Sequence, residues 1–127
     1  MAEFSYRPPD RNRNGESAIS VKSEVREGAT FVIPFGDIDL TASPVLRQEL
    51  KKIQASRPQR LVIDLAQVSY MDSSGVATLV EAMQVARRNS TRMVLCCLQE
   101  RVRSIFEIAR LDTVFLIAVD VETAMKQ

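Results

Sequence analysis

The sequence predicts an α/β domain, a mixed β-sheet of about five strands packed against about four helices. Two observations lead there. From Thr41 onward, stretches of helical period alternate with apolar runs of strand length, and parallel strands joined in that way need crossover helices. Ahead of that alternation, two short strand patterns are separated only by "REG", Arg26 to Gly28, which a hairpin explains. A chain of 127 residues fits one such domain around one core.

Taken in order, residues 1–18 combine Pro8, Pro9, asparagines, arginines and Gly15 without an apolar period. They read as a flexible, solvated tail, with the domain spanning residues 19–127. "ISVKSEV" places Ile19, Val21 and Val25 on one face, and "TFVIPFG" does the same for Phe31, Ile33 and Phe35, so the hairpin is expected to turn those sides to the core. Pro34 lacks an amide donor and belongs where the strand's ladder is open or ending.

In "TASPVLRQELKKIQ", Ser43 is the candidate N-cap, Pro44 takes the favoured first helical position, and Leu46, Leu50 and Ile53 recur at helical spacing. "LVIDL", Leu61 to Leu65, is continuously apolar, as a strand covered on both faces should be. From Gly75, a helix carries Val76, Leu79, Val80, Met83 and Ala86 on one stripe and ends at Arg87, Arg88 and Asn89, a basic last turn that suits the helix dipole. "RMVLCCL" is a further buried strand. "QERVRSIFEIARL" offers Val102, Ile105, Phe106 and Ala109 as an inner helical face, "VFLIAV" is the last strand and "VETAMKQ" a terminal helix.

Composition removes several function classes. The 17 Lys+Arg against 16 Asp+Glu leave a formal charge of +1, so no global field recruits nucleic acid or an anionic membrane. No apolar run approaches the roughly 20 residues of a membrane span, and "MAEFSYRPPD" lacks a signal-peptide core. A cytoplasmic protein without direct membrane insertion is expected. Nothing reads as a coiled-coil seam, which points to a monomer. Cys96 and Cys97 are adjacent in a strand pattern, where successive side chains face opposite ways; core packing is expected of them, not a bridge. With no histidine and one adjacent cysteine pair, there is no zinc-ligand spacing, so no metal and no cofactor are expected.

The informative stretch is "MDSSGVA", Met71 to Ala77, which follows a buried strand and opens a helical pattern. Open α/β sheets place their sites at that end of their strands. Ser and Asp there can cap the helix, a contribution of about 1 kcal/mol, or carry chemistry. Catalysis is the poorer fit: without histidine no Ser-His-Asp triad forms, and Lys22, Lys51, Lys52 and Lys126 lie in solvated stretches. The chain therefore reads as no enzyme. No G-x-x-x-x-G-K-[ST] loop is present to cradle nucleotide phosphates. An exposed hydroxyl can instead accept a phosphate from another protein, and a phosphate beside first-turn amides is electrostatically welcome. Helical phase assigns Val76 to the core and leaves Ala77 and Thr78 off the inner stripe, as candidates for an outward face.

These residues resemble the STAS domain, and within it the bacterial anti-sigma factor antagonists. The resemblance runs from about Val21 to Met125. It is carried by "FGDIDLTASPVLRQEL", by "LVIDLAQVSYMDSSGVATLVEA" with its Asp-Ser-Ser-Gly loop, and by "RMVLCCLQERVRSIFEIARLDTVFLIAVDVETAM". It implies a protein that binds an anti-sigma factor serine kinase when unmodified and so frees a sigma factor. Phosphorylation by that kinase switches it off, and a phosphatase resets it. By the same resemblance the acceptor is Ser73, with Ser74 as the alternative, and Asp39 and Asp72 match the family's acids beside it; with the turn glycine Gly75 and the off-stripe Ala77 and Thr78 they make up the expected partner face. The rival is an unphosphorylated STAS adaptor or regulatory subunit of a membrane transporter complex.

Overall fold

The computed structural model describes residues 4–5 and 19–127. Its strands are β1 (Phe4–Ser5), β2 (Ser20–Arg26), β3 (Ala29–Phe35), β4 (Arg60–Asp64), β5 (Arg92–Cys96) and β6 (Leu116–Ala118), and its helices are α1 (Ser43–Ala55), α2 (Ser73–Arg88), α3 (Glu100–Ile108) and α4 (Val121–Lys126). They form one mixed sheet in the order β1-β2-β3-β4-β5-β6. The first three strands pair antiparallel and the rest parallel.

The five expected strands are present, and Phe4–Ser5 adds a two-residue edge on β2. The rest of the expected tail lies outside the described residues. The hairpin turns at Glu27 and Gly28, whose φ values of 52° and 79° are those of a two-residue turn matched to strand twist. Pro34 pairs with Val21 but lies past the β3–β4 ladder, which ends at Val32↔Ile63, so its missing amide costs no bond on that side.

The sheet is covered on both faces, and this corrects the reading of β3. The larger core gathers Ile19, Val32, Leu61, Ile63 and Leu95 beneath α1, α2 and α3. The smaller gathers Ala29, Phe31, Val62, Val94, Cys96 and Ala118 beneath α4. Phe31 therefore faces away from the main core, where the Arg26 guanidinium lies 4.3 Å from its ring centroid, while Val32 and Pro34 are buried and Ile33 and Phe35 are only half-buried. Both parities of β3 are apolar, so alternation could not select the face. Val25 runs beyond the helices and is 60% exposed.

Helix α4 is docked by Arg60, whose Nη1 donates to the carbonyls of Ala124 at 3.0 Å and Gln127 at 2.8 Å. In α3, Val102 and Phe106 are buried, and Phe106 meets Phe115 edge-on at 5.4 Å. Ala109, expected on that inner face, is exposed and already the C-cap. Between α1 and α2, buried Gln54 donates through Nε2 to the Ala82 carbonyl at 2.8 Å, which locks the two helices that border the site.

Candidate functional site

The site lies where the chain leaves β3 and β4. Gly36 takes φ 114°, a conformation open to glycine, and the two exits then run side by side. Ile38 donates to the Tyr70 carbonyl at 3.0 Å, Asp72 donates to the Ile38 carbonyl at 3.2 Å, and Ile38 and Met71 form an isolated parallel bridge. Ile38 and Met71 are buried. This anchored pair of loops presents the N-termini of α1 and α2 together.

Both helix starts differ from expectation. Ser43 is not the N-cap of α1; Ala42 is, without a side-chain cap bond. Asp39 does that work from outside, its Oδ1 accepting from the Ala42 amide at 2.9 Å and its carbonyl from the Ser43 amide at 2.8 Å. The Ser43 hydroxyl donates to the Asp39 carbonyl at 2.7 Å and sits 2.7 Å from the Ser74 hydroxyl. Helix α2 begins at Ser73, two residues before the expected Gly75, because Asp72 caps it: Oδ1 accepts from the Ser74 amide at 2.9 Å and the Gly75 amide at 3.3 Å. The second Asp72 oxygen accepts from the Leu40 amide at 3.1 Å. One carboxylate thus ties both loops, and the Ser74 hydroxyl donating to it holds Asp72 below the usual carboxylate range.

The two serines are consequently unequal. Ser74 is bound to Asp72 and Ser43, whereas Ser73 is exposed at the first helical position, and its hydroxyl makes no hydrogen bond among the described residues. Ala77, one turn on, is also exposed.

Two expected partner contacts are internal. Thr78 is 1% exposed, and its hydroxyl donates to the Ser74 carbonyl at 2.9 Å; the α1–α2 seam covers it, so it offers no free surface. Gly75 is buried, and a Cβ there would lie 2.6 Å from Met71 Cγ and 2.8 Å from the Ile38 carbonyl oxygen. Its role is to let α2 close on the loop pair, not to admit a partner. Val76 packs half-buried against the core, as its phase predicts. Sequence reading missed Leu40, Val45 and Tyr70, which are exposed by 75%, 43% and 42%. Leu40 and Tyr70 add apolar surface on the two paired loops that lead to Ser73, Val45 adds it on the first turn of α1, and Leu40 had a signal, a leucine directly after an acidic turn.

One further group departs from expectation. Cys96 and Cys97 do not face opposite ways: Cys97 lies just beyond β5 with φ 61°, and both pack in the smaller core. Asp64 joins them.

The sheet is wound in the order β1-β2-β3-β4-β5-β6, and the Ser73 hydroxyl is displayed at the start of α2 between the exits of β3 and β4. The match to the STAS domain family model over residues 20–124 identifies the chain as a member of that family. Among its relatives, the anti-sigma-B factor antagonist of Listeria monocytogenes is 32% identical over 99 residues, covering 76% of this chain and 87% of that one. In structure, an anti-sigma factor antagonist from Mycobacterium paratuberculosis superposes with a TM-score of 0.79 at 24% identity, covering 85% and 92% of the two chains. The Bacillus cell fate determinant SpoIIAA in its phosphorylated form gives 0.64 at 21%, covering 84% and 97%. No helix among the described residues is long and apolar enough to cross a membrane.

Proposed function

We propose that this chain is an anti-sigma factor antagonist switched by phosphorylation of Ser73. Unmodified, it docks on an anti-sigma factor that is itself a serine kinase, and so releases a sigma factor; the phosphorylated form no longer docks, and a phosphatase resets it. One observation carries the choice of acceptor: Ser73 is exposed with a hydroxyl unbound among the described residues, whereas Ser74 is engaged by Asp72 and Ser43. The names of the relatives support the antagonist role, and a related fold has been solved phosphorylated.

The physical switch is local. A phosphate on Ser73 brings a charge of about −1.5 to −2. The fold tolerates it, because the first-turn amides and dipole of α2 favour an anion. A partner seated on Leu40, Tyr70 and Ala77 does not, because burying that charge beside the ionised Asp72 costs desolvation and repulsion. Asp39 acts by shaping the loop that presents Leu40. The kinase supplies ATP, metal and base; this chain supplies only the hydroxyl.

The deciding experiment incubates the wild type and Ser73→Ala with candidate anti-sigma kinases and Mg-ATP, and maps phosphate by peptide mass spectrometry. One phosphate on Ser73, with loss of kinase binding afterwards, is the expected result. Phosphate on Ser74 would move the acceptor. An unmodified, folded chain that copurifies with a transporter ATPase would replace the switch with the adaptor role.

A further inference from the structure

We propose that Asp64, Cys96 and Cys97 form a binding site for a thiophilic divalent cation of the zinc class, on the sheet face opposite α2. The carboxylate oxygen and two sulfurs lie within 4.8 Å of one another. Tetrahedral coordination at about 2.3 Å to sulfur and 2.0–2.2 Å to oxygen sets ligands roughly 3.5–3.8 Å apart, within reach of small side-chain adjustments. Three protein ligands leave the fourth position to water.

The backbone builds this cluster. Asp64 and Cys96 are register partners at the ends of parallel β4 and β5, so their side chains share the α4 face with Val62 and Val94. A continued strand would send Cys97 to the other face. Instead Cys97 takes φ 61°, a left-handed conformation costly for a side chain with a Cβ, and its amide donates to the Ala118 carbonyl at 3.3 Å. That turn brings the second sulfur to the same side as the first.

The site also has an open side. Cys96 is fully buried, while Cys97 and Asp64 are partly exposed, so an ion can enter over them. The Asp64 carboxylate already accepts from the Ala66 amide at 2.9 Å, which leaves its other oxygen as the ligand and supplies the outer bond that orients it. A divalent cation there would offset the negative charge of Asp64 and of the two thiolates it would require as ligands.

The test titrates the reduced full chain with Co²⁺ and follows the thiolate-to-cobalt charge-transfer band, then displaces the cobalt with Zn²⁺. The expected result is one ion per chain, the band abolished in Cys97→Ser, and affinity reduced roughly tenfold or more in Asp64→Asn. Circular dichroism of each variant confirms its fold. If Cys96→Ala unfolds the chain, Cys97→Ser on the partly exposed side still decides. Absence of the band in the wild type, or binding that survives Cys97→Ser unchanged, would overturn the site.

Discussion

Replacing Gly75 with alanine should destabilise the protein, although alanine is the better helix former by about 1 kcal/mol. The added Cβ would lie 2.6 Å from Met71 Cγ and 2.8 Å from both Ile38 Cγ2 and the Ile38 carbonyl oxygen. The Met71 side chain can shift, but the carbonyl is backbone and also accepts from the Asp72 amide at 3.2 Å. Overpacking of this kind costs about 1–3 kcal/mol, and stretching that hydrogen bond forfeits about 1 kcal/mol more. Set against the propensity gain, the net loss is about 2 kcal/mol, or a melting temperature lowered by roughly 6–10 °C for a domain of this size. Urea denaturation checks it: the midpoint should fall with an unchanged slope. Gly28→Ala is the control, because nothing lies within 4 Å of its Cβ and only the φ of +79° resists the change, a strain of about 1–2 kcal/mol. A Gly75→Ala protein as stable as wild type would refute the reasoning. It would mean that the start of α2 moves freely and that the loop pair does not fix the acceptor.

Other outcomes follow from the same geometry. Ser73→Ala should leave stability within about 0.5 kcal/mol of wild type, while Ser74→Ala, losing its bonds to Asp72 and Ser43, should cost about 1–2 kcal/mol in urea melts. Asp72, held below its ordinary value chiefly by the Ser74 hydroxyl, contributes stability that is present above the unfolded carboxylate pKa and lost as pH falls through its lower folded pKa. The gap between wild type and Asp72→Ala in urea midpoint should therefore be full at pH 7 and shrink in strongly acidic buffer. Leu46→Ala, on the buried face of α1 with 0% exposure, should cost about 2–5 kcal/mol by the same measurement.

What the sequence by itself determined was the order of elements and the word that carries the site. Period distinguishes α1 from β4 and α2 from β5 because a half-buried helix and a doubly covered strand need different apolar spacing. "DSSG" after a buried strand locates a helix start, since short hydroxyl and carboxylate side chains reach and accept from first-turn amides. Tertiary structure decided the rest. The face of β3 was undetermined because Phe31 and Val32 are both apolar and α4, distant in sequence, covers one of them. Thr78 looked external by helical phase until α1 closed over it, and Ser43 looked like a cap until Asp39 took that place. The distinction between Ser73 and Ser74 depends on contacts with Ser43, 31 residues from Ser74, and on a carboxylate shared between two loops. A single backbone angle at Cys97 set two adjacent thiols on one side of the sheet. Local chemistry fixes which residues can cap, bury or donate; only the packing of distant segments decides which of them remain free.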